Sequence, residues 1–179
     1  MTLALARSQV LDAAGDEATR ARILAFIDAN PDALLRSCVP GHLTGSAAVV
    51  DPLRERALLV LHRKLGRWLQ PGGHADGDGD LSRVALREAS EETGLAGLAV
   101  VAPAIDVDVH EIPPIGSEPA HLHLDVRFLV LAAAGAVPVA NHESLAIRWI
   151  TRDELGDPAL ALDTSTQRLL RAALAPPRQ

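Results

Sequence analysis

Three glutamates, Glu88, Glu91 and Glu92, fall at i, i+3 and i+4 in the run LSRVALREASEET, residues 81–93. Residues so spaced share one face of a helix. Leu81, Val84, Ala85 and Ala89 lie on that same face, the side that should dock on a core. Carboxylates placed there repel one another, face burial on the packed side and sit at the helix end whose dipole disfavours anions. A solvated charge run would lie opposite the apolar stripe. A cation held among the three side chains resolves the conflict, and clustered hard oxygen donors suit magnesium or manganese.

Other groups gather before and after this run. The stretch GGHADGDGD, residues 72–80, is a glycine-rich acidic loop. Gly72 and Gly73 let the backbone bend sharply and approach a ligand closely. His74, directly after them, is placed to touch substrate or metal, or else to cap a backbone carbonyl. Asp76, Asp78 and Asp80 fit positions 1, 3 and 5 of a calcium loop, but Leu81 stands where that loop needs glycine and Arg87 where it needs glutamate. Arg63, Lys64 and Arg67 form the basic cluster nearest the acidic stretch; they can meet phosphate oxygens or simply solvate a turn. In HLHLDVRFLVL, residues 121–131, His121, His123, Asp125 and Arg127 alternate with Leu122, Leu124, Val126 and Phe128. That polar face can line a substrate cavity, carry hydrogen-bonded histidines on a half-exposed strand, or bind zinc or a second metal through two histidines and an aspartate.

The stretch from Gly73 to Leu95 resembles the signature of the Nudix hydrolase superfamily: glycine, five residues, glutamate, seven residues, then Arg-Glu-apolar-x-Glu-Glu-x-Gly-apolar. Gly73 fits the opening glycine, and Arg87-Glu88-Ala89-Ser90-Glu91-Glu92-Thr93-Gly94-Leu95 fits the second half at the right spacing. One position departs, because Gly79 stands where the signature has its first glutamate. The resemblance implies a Mg2+- or Mn2+-dependent enzyme that cleaves a diphosphate linked to another moiety. It implies that Glu88, Glu91 and Glu92 hold the metal with the backbone carbonyl of Gly73, and that Arg87 orients the glutamates. The missing glutamate usually supports that network; Asp78 or Asp80, one residue to either side, can stand in. Related enzymes often carry an acidic residue in the loop before a late strand, as base or metal ligand. Glu143 occupies that region, where an exposed loop carboxylate is the other reading.

Elements must position these groups. Residues 16–29 predict an amphipathic helix with Ile23, Leu24, Phe26 and Ile27 on or near its buried side. Asn30-Pro31 ends it, and Pro31 can open a short helix through Leu35. Strands are expected over residues 43–50 and 57–62, with a turn at Asp51-Pro52. The glutamate-bearing helix opens at Asp80 as N-cap and stops at Gly94. Strands follow over 98–109, 121–131 and 146–150, then a helical turn at 152–155 and an amphipathic helix at 164–174 that offers Leu169, Leu170 and Leu174 for packing. The expected fold class is α/β. The element order suggests helices on both sides of a mixed sheet, and the resemblance implies a Nudix-like α/β/α sandwich. One domain is expected, with residues 1–40 as an N-terminal helical extension (a cap or a homodimer element) and 41–179 as the catalytic core.

Composition sets the outer bounds. At 179 residues the chain can bury a substantial core, which must be aliphatic because only two Trp and two Phe occur. A net charge of −6 argues against a nucleic-acid polymer as partner and leaves a nucleotide substrate open, since a bound metal reverses the local sign. The single cysteine, Cys38, rules out an internal disulfide. Charged residues break the apolar N-terminus, and no stretch is long enough to span a membrane. A soluble cytoplasmic protein is expected, acting on a small-molecule diphosphate. Nucleotide sugars, ADP-ribose, dinucleotides, oxidised nucleoside triphosphates and coenzyme A are all candidates. Two readings compete with hydrolysis: a catalytically weakened scaffold that binds a nucleotide or metabolite, motivated by Gly79, and an isoprenoid diphosphate isomerase, which would need a pocket cysteine.

Overall fold

The computed structural model describes residues 2–114, 116, 119–140 and 144–176. The chain begins with two helices, α1 (Leu3–Asp12) and α2 (Glu17–Ala29), followed by β1 (Gly41–Val50), β2 (Arg56–His62), β3 (Arg67–Leu69) and β4 (Gly72–His74). Helix α3 (Leu81–Thr93) precedes β5 (Ala99–Ile112), β6 (His121–Leu131) and β7 (Ser144–Thr151). A 3-10 turn at Asp153–Gly156 leads to α4 (Thr164–Ala173).

The alternating runs around residues 42 and 121 become neighbours. β1 pairs in parallel with β6, in unbroken register from Gly41↔Leu122 to Val50↔Leu131. The remaining pairings are antiparallel: β5 on β6, β2 with β3 and β7, and β4 and β2 sharing the other edge of β1. The sheet is therefore mixed, with strand order β3-β2-β1-β6-β5 and with β4 and β7 added on β1 and β2.

Partners in register point to the same side, which gives the sheet two different faces. Leu43, Ala47, Leu58, Val60, Leu124, Val126 and Phe128 pack with residues of α1, α2 and α3 in one aliphatic core. Ala48, Val50, Leu59, Leu129 and Ile150 pack with Leu169, Leu170, Ala173 and Leu174 of α4 and its flank in a second. This is an α/β/α sandwich, as expected. Nearer the start of β1 the α4 side of the sheet is polar, and there the packing opens.

Helix α3 sits where its pattern requires. Leu81, Val84, Ala85 and Ala89 are fully buried, the Asp80 side chain accepts from the Arg83 amide, and Gly94 takes the left-handed conformation (φ 65°) that ends the helix. Gly45 of β1 permits the close approach of α3, since a Cβ there would lie 2.7 Å from the Leu81 carbonyl oxygen.

Three stretches of the chain differ from expectation. Residues 31–35 form turns and not a helix, and the short strands β3 and β4 lie in a stretch expected to be irregular. Helix α1 was not anticipated: its buried side is only Ala6 and Val10, a stripe too narrow to register as periodicity. It nonetheless shapes the glycine-rich loop. Gln9 accepts a hydrogen bond from the Leu81 amide (2.8 Å) and donates one to Asp80 (2.9 Å), so α1 braces the N-terminus of α3. A Cβ at Gly79 would collide with the Thr2 carbonyl group. The glycine at this position is thus a steric requirement of α1. Gly79→Glu should cost about 1–3 kcal/mol through overpacking, seen as a lower melting temperature; an unchanged melting temperature would show that Thr2 simply moves aside.

Candidate active site

A cavity of about 810 Å³ opens over the polar end of the sheet, between α3, β4, β5, β6 and the start of α4. Its floor follows from register. Thr44 and Ser46 of β1 stand beside Asp125 and Arg127 of β6, which stand beside Asp108 and Asp106 of β5. Asp125, 1% exposed, accepts from Thr44 Oγ1 (2.8 Å) and from Ser46 Oγ (2.8 and 2.9 Å). Arg127, 2% exposed, bridges Asp125 (2.8 Å), Asp108 (3.0 Å) and Asp106 (3.3 Å). Arg168 of α4 reaches Asp106 and Asp108, both at 3.0 Å. Burial pushes the Asp108 carboxyl up, but the His110 hydrogen bond, the Arg127 charge and the Ser165 and Arg168 hydrogen bonds outweigh it and hold Asp108 well below the usual carboxylate range.

The wall is α3. Glu88, Glu91 and Glu92 all line the cavity, with Arg87 and Gly73. Arg87 Nη2 donates both to Glu88 Oε1 (2.7 Å) and to the His74 carbonyl oxygen (3.0 Å), tying the helix to β4. A Cβ at Gly73 would lie 2.6 and 2.7 Å from the Glu88 oxygens, so only glycine leaves room for that carboxylate against the backbone. Asp78 and Asp80 do not join this wall. Asp78 pairs with Arg83 (2.5 and 2.7 Å) and Asp80 caps α3 and binds Gln9.

Histidines cluster beside the cavity, with His74, His110 and His123 in its lining. His42 pairs in register with His123, and His123 with His110; His74 stands opposite Thr44. His74 and His123 are 3.2 Å apart, Nε2 to Nε2, and the His42 ring centroid is 4.8 Å from that of His74 and 5.0 Å from that of His123. His121 stacks behind, 4.9 Å from His42, with Nδ1 donating to the Pro119 carbonyl (3.0 Å). Burial and the neighbouring histidines push the His123 imidazole down to about 2. Burial, then Arg36 and the other rings, push His74 down to about 4. Both rings are neutral.

The structure thus gathers Gly73, His74, Arg67, Arg87, Glu88, Glu91, Glu92, His123 and Asp125 around one cavity. Asp125 is committed to the floor. His121 stands against His42 and His123 without lining the cavity. Arg63 is turned toward β7, where it donates to the Ser144 carbonyl oxygen (3.4 Å), and does not line the cavity either. Glu143 lies outside the described residues. Residues not anticipated are His42, Thr44, Ser46, Asp106, Asp108, His110 and Arg36, the last lining the cavity while paired with Asp76 (2.7 and 2.8 Å). The alternations HLTGSA at 42–47 and DVDVH at 106–110 carry the same polar-face signal as β6 and would have found most of them. Among the described residues no helix is long and apolar enough to cross a membrane.

A family model of the NUDIX domain matches residues 42–173, which includes the whole of α3 and its glycine-rich approach. The chain belongs to the Nudix family. A Mycobacterium tuberculosis (strain H37Rv) protein provisionally named 8-oxo-dGTP diphosphatase 3 is 33% identical over 132 residues, 68% of this chain and 57% of that protein. The chain therefore spans little more than half the length of the curated relatives it matches. Among solved structures, E. coli dihydroneopterin triphosphate pyrophosphohydrolase aligns with a TM-score of 0.57 at 16% identity, covering 72% of this chain and 92% of that one. A C. elegans Ap4A hydrolase aligns at 0.56 with 17% identity, covering 73% and 93%. At such identities these two establish the common Nudix fold.

Neutral, half-buried histidines give this Nudix chain an acid-side liability. The unfolded chain takes up protons near the ordinary histidine value, about 6.5, whereas folded His74 and His123 do so only near 4 and 2. Their folded values are depressed, so the unfolded state binds more protons below about 6.5 and stability falls as the pH drops through that value. With EDTA present, the melting temperature should fall from pH 7.5 to 5.5, and by less in His123→Asn. Equal falls in the two proteins would remove His123 as the cause.

Proposed function

We propose that this chain hydrolyses a diphosphate linkage in a nucleoside diphosphate-linked or related small molecule, with water as nucleophile and Mg2+ or Mn2+ as cofactor. One observation carries the reading: Glu88, Glu91 and Glu92 share a cavity with Arg36, Arg67 and Arg87, carboxylates for a metal beside guanidiniums for phosphate. The donor set fits the cofactor, because carboxylates and the Gly73 carbonyl are hard oxygen ligands, and the side-chain-free Gly73 leaves room for the Glu88 carboxylate. When bound, a divalent cation neutralises phosphate oxygens and lowers the pKa of the attacking water.

The chain's own groups supply the rest. Arg87 keeps the Glu88 carboxylate aimed by holding it to the carbonyl of β4. Arg36 and Arg67, paired with exposed carboxylates of Asp76 and Asp163, can exchange those partners for phosphate oxygens of the substrate, to which a planar guanidinium binds in two-point fashion. A carboxylate of α3 takes the proton of the attacking water; the resemblance offers Glu143 for the same task. The name of the mycobacterial relative makes 8-oxo-dGTP the first compound to try. The isomerase alternative loses its support, since Cys38 is buried, is absent from the cavity lining, and has its thiol pushed up to about 11 by burial and by Asp32.

The test is release of phosphate or nucleotide from 8-oxo-dGTP, dinucleoside polyphosphates and ADP-ribose, with Mg2+, Mn2+ or EDTA. Turnover should need the metal and fall at least about a hundredfold in Glu92→Gln, with the circular dichroism spectrum unchanged. Full activity in a folded Glu92→Gln would sink the assignment.

A further inference from the structure

Five histidines meet beside the cavity, and hydrolysis at the α3 carboxylates uses none of them as a base or metal ligand. His42, His74 and His123 each offer a ring nitrogen, and the three nitrogens lie within 4.8 Å of one another. Among the described residues it is these imidazoles, and not the glutamates of α3, that draw three ligand atoms so close.

We propose that His42, His74 and His123 form a separate site for a divalent transition-metal ion of the zinc or nickel class. The spacing supports this. Two imidazole nitrogens bound to one tetrahedral ion, at bonds of about 2.0–2.1 Å, stand about 3.3 Å apart; His74 Nε2 and His123 Nε2 are 3.2 Å apart. A hydrogen bond between His74 and His123 would account for those two rings alone. It leaves unexplained why β1 brings a third imidazole, 4% exposed, against both.

Donor chemistry separates the two sites. Imidazole suits zinc, nickel, copper and iron, whereas magnesium and manganese prefer carboxylate and carbonyl oxygens. The three rings ride on three strands whose register fixes them, His42 against His123 and His74 against Thr44, and ligands carried on rigid strands hold a geometry better than ligands on loops. The His74 backbone is held in turn by Arg87. An outer layer is present as well. His110 Nδ1 is bound to Asp108 (3.0 Å), and His121 Nδ1 donates to the Pro119 carbonyl. Their ring centroids are 5.4 and 5.3 Å from that of His123. Three protein ligands leave a fourth position for water or another donor, and His74 and His123 both line the cavity. The site differs from the zinc reading of the strand alone: Asp125 is spent on the floor, His121 is outside the group of three, and His42 and His74 take their places beside His123.

This inference does not rest on the hydrolase reading, and its test needs no substrate. The full chain, stripped with EDTA and then freed of chelator, is titrated with Zn2+ in excess Mg2+ by calorimetry. The expected result is one equivalent bound, affinity at least about tenfold weaker in His42→Ala and in His123→Ala, and Glu92→Gln binding as tightly as the unaltered chain. Co2+ added to the unaltered chain should give the visible absorption of a tetrahedral nitrogen site, which keeps the question open to refutation if a histidine variant fails to fold. Absence of both Zn2+ binding and that absorption would overturn the proposal. So would Zn2+ binding that survives both histidine changes or is lost in Glu92→Gln.

Discussion

Everything at the site depends on the parallel pairing of β1 with β6. Its unbroken register places His42 beside His123, Thr44 beside Asp125 and Ser46 beside Arg127, and then Ala48 beside Leu129 and Val50 beside Leu131. One face of two strands thereby changes from polar to apolar along its length. The apolar half is covered by α4 and the polar half is left as a cavity. A slip of one residue would turn Asp125 and Arg127 into the core beneath α3 and send Leu124, Val126 and Phe128 to the cavity side. Both faces therefore specify the same register.

The floor that this register assembles is costly and well compensated. Asp106, Asp125 and Arg127 are all almost completely buried, and such charges are tolerable only with close partners and saturated hydrogen bonding. Here each carboxylate of the trio Asp106, Asp108 and Asp125 meets Arg127, two of them also meet Arg168, and hydroxyls of Thr44, Ser46 and Ser165 take up remaining lone pairs. Removing one member would leave others buried and unpaired, so the network acts as a rigid unit. It joins β1, β5, β6 and α4, and the three strands among them carry four of the five clustered histidines. It also absorbs Asp125, which from spacing alone resembles a ligand.

How much of this was legible depended on whether the deciding contact was local. Helix α3 was readable because cap, apolar stripe and terminating glycine all lie within fifteen residues and agree. Strand β6 was readable from its strict alternation, and of the three readings its polar face left open, His123, Asp125 and Arg127 lie at a cavity while His121 does not line it. The histidine cluster was not readable: His42, His74 and His123 come from separate strands, and nothing in one chain states the register between them. Helix α1 escaped because two buried residues make no visible period. Residues 31–35 carry a helix-opening proline, yet the hydrogen bonds from the Ala33 and Leu35 amides reach back three residues and close turns. The comparison of Gly79 with the family signature was sound, but what occupies its space is the backbone of Thr2, far away in the chain.

That last contact changes what the departure at Gly79 means. A glutamate there would be expected to support the carboxylates of α3, and its replacement by glycine looks like lost support. In this chain the support reaches α3 by another route. Gln9 binds both the first amide of α3 and its capping aspartate, while Asp78 is fixed by Arg83. The N-terminal end of the helix is therefore set by α1, and Arg87 sets its middle through β4. Gly79 is what allows α1 to come close enough to do this, so the glycine and the N-terminal helix form one device. A side chain at position 79 would meet the Thr2 backbone as α1 now stands, so the departure from the signature goes with a helix that braces the start of α3, while Arg87 holds Glu88.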